Sequence, residues 1–282
     1  MRFIVGIIAI MAAAVASAAD TPYPVRPIRL IAPYPPGGGN DTMARTIGAK
    51  LTEEWHQQVI VDNRSGASGI IGTEFVARSP ADGYTLLINT LPLVTNQFLM
   101  PKVGYDAIKD FEPIMMATSS PSFVTVHPSV PARTVKELIA LAKANPGKLN
   151  YSAAGIGTNP HIAGELFNLL AGVNIVAVQF KGGGPADLAA ISGEVAGTFG
   201  NVSQEIEYVK AGRLRALAVT STTRNAALPS VPTVIEAGVP GYEFLTWHAF
   251  LAPKGTPAPI VNQLNEQLKK ILTAPGEARS EE

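Results

Sequence analysis

Ile28-Arg29-Leu30-Ile31-Ala32-Pro33-Tyr34-Pro35-Pro36-Gly37-Gly38-Gly39-Asn40-Asp41 is the segment whose reading decides the fold. Pro27 to Ala32 reads as a short buried strand, and Pro33 to Asn40 as a Pro/Gly loop. Asp41 to Trp55 spaces Met43, Ile47, Leu51 and Trp55 four residues apart, which predicts an amphipathic helix. Downstream, Val59-Ile60-Val61 is a second strand. Ser65-Gly66-Ala67-Ser68-Gly69 is a flexible loop that opens a helix through Val76. Asp82-Gly83 is a turn before a strand from Tyr84 to Ile88. Strand and helix alternate, which predicts an α/β fold with a largely parallel sheet.

The later chain repeats this grammar. Phe123 to Val126 reads as a strand and Thr134 to Ala144 as a helix, with Thr134 and Glu137 in capping-box spacing and Asn145-Pro146-Gly147 as its stop. Leu149 to Ser152, Ile175 to Val178 and Leu214 to Thr220 are further strands. Pro160 to Leu170 and Pro185 to Ile191 are further helices. The two halves match in pattern without a short tandem repeat, which fits two α/β lobes.

Three loops share one physical character: Pro35 to Asp41, Ala154 to Asn159, and Lys181-Gly182-Gly183-Gly184-Pro185. Glycine lets backbone N–H groups approach a ligand closely. A helix N-terminus adds unpaired donors and partial positive charge, so each loop is a candidate anion site. Asp41 either complements the helix dipole, or orders the loop, or meets an amine on a ligand. Lys181, the one cation in these loops, is either solvated or attracts an anion. His161 either bonds nearby backbone or touches ligand, and Trp247 and Phe250 are either core or cleft wall.

Composition narrows the function classes. The 282 residues carry 22 Lys+Arg against 22 Asp+Glu, a balance that argues against a nucleic-acid or general membrane-surface partner. Apolar residues make up 46% and charged residues 16%, so a packed core is expected. There is no cysteine, which excludes a thiol nucleophile and a Cys-ligated zinc. His56, His127, His161 and His248 are scattered without metal-ligand spacing. No P-loop, G-x-G-x-x-G at the first strand–helix junction or G-x-S-x-G elbow is present, so neither nucleotide binding nor serine hydrolysis is supported. No catalytic residue, cofactor or metal is expected; an exported α/β enzyme acting on carboxylates or esters is the alternative class.

At the N-terminus, Arg2, the apolar run Phe3 to Val15 and Ala16-Ser17-Ala18 read as a signal peptide over residues 1–18, cut before Ala19. The run is short for a bilayer span. A periplasmic location is expected.

Several segments carry a family resemblance in order: Tyr23 to Leu30, Pro33 to Asp41, Val61 to Ala67, Asp82 to Leu87, Tyr151 to Thr158 with His161, Lys181-Gly182-Gly183, Lys210 to Ala218, Val231-Pro232-Thr233 and Ala252 to Pro257. Together they resemble the tripartite tricarboxylate transporter substrate-binding family, also called Bug receptors. The resemblance covers the chain from about Tyr23 to Leu272. It implies a monomeric two-lobed periplasmic binding protein of type II, a Venus flytrap with mixed, mostly parallel sheets. Lobe 1 would comprise residues 19–118 with 244–282, and lobe 2 residues 119–243. The chain would cross near Met116–Ser122 and return near Tyr242–Phe250. The implied ligand is a small carboxylate, and the implied partners are membrane permease subunits or, in a sensing role, a membrane kinase.

The expected ligand-binding set takes Tyr34, Pro36, Gly37, Gly38, Gly39 and Asp41 from the first loop, with Gly69 and Thr90 beside it. Gly155, Gly157, Thr158 and His161 come from the second loop, and Lys181, Gly182 and Asn201 from the third and beyond. The sequence departs from the family pattern at Ile70, Phe180 and Gly200, where Asn, Tyr and Asp are usual. These changes predict a cleft with fewer polar groups and a less polar distal end of the ligand. The family's closing C-terminal strand and helix are also missing after Leu272, which predicts exposed core in lobe 1.

Overall fold

The computed structural model describes residues 22–274. The expected leader, residues 1–18, lies outside the described residues, as does the tail beyond residue 274. The first half runs β1 (Ile28–Ala32), α1 (Gly39–Trp55), β2 (Val59–Asn63), α2 (Ile70–Ala77), β3 (Thr85–Asn89), α3 (Pro92–Leu99) and the long β4 (Phe111–Val126). It continues through α4 (Val135–Ala144), β5 (Asn150–Ala153), α5 (Asn159–Ala171), β6 (Val176–Gln179), α6 (Gly183–Ser192), β7 (Gly197–Asn201), α7 (Val202–Lys210) and β8 (Arg215–Val219). β9 (Leu245–Pro253) and α8 (Ala258–Leu272) complete it.

The nine strands lie in the order β2-β1-β3-β9-β4-β7-β5-β6, with β8 also on β4. β1 pairs in parallel with β2 and β3, and β5 in parallel with β6 and β7. Every antiparallel pairing involves β4 or β9. β4 pairs with β9 through Phe111 to Pro121, then with β7 and β8 through Ser122 to Val126. One strand pattern therefore occurs twice, as β2-β1-β3-β9-β4 and as β6-β5-β7-β4-β8. This is the two-lobed α/β architecture of periplasmic binding proteins. The antiparallel share exceeds what strand–helix alternation suggests, because β4 runs through both sheet regions and pairs antiparallel in each, and β9 runs antiparallel between β3 and β4.

Burial explains the local sequence. Ile28, Leu30 and Ala32 face a core that includes Ile47 and Leu51 of α1 and Leu264 and Leu268 of α8. Ile31 faces the opposite core, with Ile70, Val76 and Leu93. A strand covered on both faces must be apolar almost throughout, hence the unbroken Leu30-Ile31-Ala32. The second region packs around Phe167, Phe199, Tyr151 and Tyr242, whose rings meet at tilted or edge-on angles.

Some elements differ from the sequence expectation. α1 starts at Gly39, two residues before Asp41, because Gly38 (φ −90°, ψ 169°) rather than Asn40 is its extended N-cap. β4 is far longer than Phe123 to Val126; Pro113 and Pro121 disguise it, and its register against β9 shifts after Pro113 and after Met116. α3 and α8 open on prolines in the first turn and were not expected from periodicity. In the capping box, Glu137 N–H donates to Thr134 as expected, but the Glu137 carboxylate accepts from Arg133 N–H, one residue earlier than the usual N-cap partner.

Candidate functional site

In each region the strand order reverses around a central strand: β1 lies between β2 and β3, and β5 between β6 and β7. Such switch points open a crevice beyond the carboxyl ends of the strands. Tyr34 follows β1, Thr90 follows β3, Thr158 follows β5, Gly182 follows β6 and Asn201 ends β7. All five line one cavity of about 460 Å³, together with Gly38 and Gly39. The remaining expected contacts, Pro36, Gly37, Asp41, Gly69, Gly155, Gly157, His161 and Lys181, are not among its lining residues.

Three helices start at this cavity. α1, α5 and α6 have Gly38, Thr158 and Gly182 as N-caps, and none of these caps bonds its helix through a side chain. The N–H groups of Gly38, Gly39 and Gly183 have no acceptor among the described residues. The partial positive ends of three helices therefore reach one space with their donors unspent. No Lys or Arg lines it, so backbone donors carry any attraction for an anion. The two sides approach closely here. A Cβ on Gly38 would lie 3.8 Å from Gly183 N, in van der Waals contact with the other side.

Residues behind the wall hold these loops. The Asp41 carboxylate accepts from Gly37 N–H at 3.0 Å, Asn63 Nδ2 at 2.9 Å and Arg45 Nε at 3.0 Å. Burial works to raise its pKa, but the bonds from Arg45, Gly37 and Asn63 together hold it below the ordinary carboxylate value. Gly37 sits at φ +89°, a conformation that favours glycine, and its N–H is turned back to Asp41. In the second loop, Gly157 N–H donates to His161 Nδ1 at 3.1 Å, so that nitrogen is the unprotonated one. Burial lowers the His161 pKa, against the nearby Glu165. Gly69 backs Tyr34, where its Cβ would lie 3.1 Å from the ring, and Tyr34 donates to Asn89 Oδ1 at 2.9 Å. Lys181 is exposed.

Two bonds cross from one region to the other beside the cavity. Thr95 Oγ1 donates to Gly157 O at 2.8 Å, and Asn159 Nδ2 donates to Thr90 Oγ1 at 3.1 Å.

The cavity also contains residues that sequence reasoning missed. His248 on β9 meets Thr118 on β4 at 3.0 Å, and burial pushes its pKa down to about 4, so it is neutral. Asp187 on α6 and Gln204 on α7 line the wall. Behind Gly200 stands Glu205, 1% exposed, with Oε2 accepting from Thr125 Oγ1 and Oε1 without a partner among the described residues. Burial raises both carboxyl pKa values, Asp187 to about 7, and Glu205 is raised further by Asp187. The Gly-rich spelling of the third loop and Gly200 were the available signals, but neither specifies a carboxylate several residues away.

The departures from the family pattern also look different in three dimensions. Ile70 and Phe180 pack in apolar clusters and do not line the cavity, so they do not strip polar groups from its wall. Gly200 does line it, and a Cβ there would fall on the Glu205 carboxylate, 1.9 Å from Oε1. Glycine at this position makes room for Glu205.

Among the described residues, no three His, Asp or Glu side chains gather to hold a metal, and no helix is long and apolar enough to cross a membrane.

The tripartite tricarboxylate transporter family receptor model matches residues 43–280. A UPF0065 protein in the tcbD-tcbE intergenic region of Pseudomonas sp. (strain P51) is 42% identical over 254 residues, 90% of this chain and 76% of the relative. Protein BugT of Bordetella pertussis is 40% identical, covering 90% and 78%. Among solved structures, R. palustris Rpa4515 with adipate superposes with a TM-score of 0.88 at 38% identity, over 91% of this chain and 86% of that one. MatC from Rhodopseudomonas palustris with bound malate gives 0.86 at 30% identity, over 92% and 88%. The periplasmic binding protein BugD gives 0.85 at 33% identity, over 92% and 86%. With matches of this length, and a cavity ringed by helix N-termini at two strand switch points, the chain belongs to the tripartite tricarboxylate transporter receptor family, the Bug-type periplasmic solute-binding proteins.

Proposed function

We propose that this chain is a monomeric periplasmic receptor without catalytic activity. It captures a small organic carboxylate by closing two lobes and delivers it to the membrane permease of a tripartite tricarboxylate-type transporter. The observation that carries this reading is the convergence of three helix N-termini, uncapped by side chains, on one cavity that no Lys or Arg lines. A carboxylate supplies the acceptors those donors lack, in charge-assisted bonds that offset its lost hydration. The relatives solved with adipate and with malate support a small dicarboxylate or similar acid as the ligand class.

Lobe 1 is assigned to residues 19–118 with 244–282 and lobe 2 to residues 119–243. β4 and β9 form the connection, and their pairing through Pro121 and Leu245 lies at the proposed hinge. Closure brings the Gly38 and Gly183 donors to one ligand, and ligand binding shifts the population toward that form. The Thr95–Gly157 and Asn159–Thr90 bonds would break on opening. Membership of the transporter receptor family supports transport over a signalling role.

The test is Gly38→Val. Gly38 has an ordinary extended conformation, so the variant folds, but the branched side chain fills the gap to Gly183. Calorimetry against a panel of mono-, di- and tricarboxylates should show affinity for the bound class falling by about 100-fold or more, with the melting temperature of the unliganded protein little changed. Unchanged affinity would remove the first loop from the site.

A further inference from the structure

The two lobes meet at two seams beside the cavity, and the seams are built differently. At the first, residues 35–39 approach Gly182, Gly183 and Gln204. A Cβ on Gly38 would stand 3.8 Å from Gly183 N, one on Gly39 would stand 3.3 Å from Gln204 Oε1, and one on Gly182 would stand 3.1 Å from Pro35 Cγ. No hydrogen bond joins these two stretches among the described residues.

The second seam sets α3 against the loop before α5, and it is bonded. Thr95 Oγ1 donates to Gly157 O at 2.8 Å, and Asn159 Nδ2 donates to Thr90 Oγ1 at 3.1 Å. Leu99 Cδ1 would lie 3.2 Å from a Cβ on Gly157. Leu91 reaches furthest. It packs against the core of the other lobe, whose buried members all fall between Val124 and Phe244. All of these groups are uncharged, and Leu91, Thr95 and Leu99 do not line the cavity.

The construction suits a reversible contact. α3 travels with the first lobe, because Leu93 packs with Ile31 and Leu251, and Asn96 Nδ2 donates to Ser68 O at 3.0 Å. Thr95 Oγ1 also lies 3.3 Å from Leu91 O in its own helix. A hydroxyl has one proton, so on opening it passes from Gly157 O to Leu91 O without being stranded. Leu91 supplies the opposing bias, since parting the lobes returns its apolar surface to water.

We propose that α3 and the loop before α5 form a latch that closes the lobes independently of ligand. The unliganded protein then populates the closed form through the second seam, and a ligand joins the first seam, which has no bond of its own. The proposal rests on the two-lobed receptor reading above and adds what sets its resting state. It makes Leu91 and Thr95 positioning residues: they touch no ligand, yet the apparent dissociation constant is the intrinsic one divided by the closed fraction they maintain.

The chain has no cysteine, so a labelled pair is introduced without background. Spin labels on Glu53→Cys in α1 and Leu169→Cys in α5, both exposed positions, report the lobe separation of the full chain by pulsed electron resonance. The unliganded protein should show a shorter, closed distance and a longer, open one. Thr95→Val and Leu91→Ala should each move the closed-to-open ratio about three-fold toward open, and together about ten-fold. Calorimetry with adipate and malate, the acids held by two solved relatives, gives the second readout. For whichever acid binds, each variant should lose affinity by the same factor as its closed fraction falls. A single distance in the unliganded protein overturns the latch, as does a ratio unmoved by both variants. An affinity loss far larger than the change in closed fraction also overturns it, by making the two residues ligand contacts. A ratio that moves as expected while neither acid binds keeps the latch and counts against the carboxylate reading alone.

Discussion

Asp41 and the Asp187–Glu205 pair are acidic groups near helix starts in the two halves of the molecule, and they end in opposite states. Asp41 is 5% exposed, yet three donors converge on it and its carboxyl is held below the ordinary range. Glu205 is more deeply buried with one hydroxyl donor, Asp187 has none, and both are raised. Burial acts in the same direction on all three; the supply of donors decides the outcome. The satisfied carboxylate is spent on the protein itself, holding the first loop so that its neighbours' N–H groups face the cavity.

The comparison can be broken first at Asp41. Asp41→Ala strands Gly37 N–H and takes one of the two acceptors of Asn63 Nδ2, which keeps Tyr34 O, and urea unfolding should show a loss of about 2 kcal/mol. A loss below about 0.5 kcal/mol would mean that the loop does not depend on Asp41. An effect of similar size follows from Gly200→Ala, whose Cβ collides with the Glu205 carboxylate; about 2 kcal/mol of destabilisation is expected. Combined with Glu205→Ala the same change should cost little, and additive losses in that double-mutant cycle would contradict the steric account.

Asp187→Asn works the other way. The Asp187 pKa is about 7 in the folded protein against 3.8 for the ordinary group, so the fold takes up a proton that the unfolded chain lacks in between. Its cost to stability is absent below about pH 3.8, grows as pH rises and is complete above about 7. The unliganded variant should therefore be about 1 kcal/mol more stable than the parent at pH 8 and indistinguishable near pH 4. A variant equally or less stable at pH 8 would show that Asp187 has a donor after all. The smallest effect is expected from Arg45→Met. Arg45 is exposed and Asp41 keeps its other two donors, so the melting temperature should move by no more than about 2 °C.

Much of the fold was legible because it rests on period and punctuation. The four-residue spacing from Met43 to Trp55 and the glycines around Gly38 mark a strand–loop–helix unit without reference to the rest of the chain. β4 was not legible over most of its length, since Pro113 and Pro121 read as strand breakers until β9 is seen alongside with its register shifts. At the site, Tyr34, Gly38, Gly39, Thr90, Thr158, Gly182 and Asn201 line the cavity. They sit at strand ends, where ligand crevices form in such folds. Gly37, Asp41 and His161 bond the loops from behind, a distinction of a few ångströms that residue type does not carry.

The sequence by itself determined an α/β chain with glycine-opened helices and the resemblance to one receptor family, because periodicity, turn chemistry and ordered motifs are local or collinear properties. Only the tertiary structure decided which loops share a cavity and that Glu205 fills the space beside Gly200. It also decided that Asp41 is satisfied where Asp187 is not. Those facts depend on donors and walls brought together from residues far apart in the chain, and the state of a buried carboxyl is set by that assembled surrounding rather than by its own neighbours in sequence.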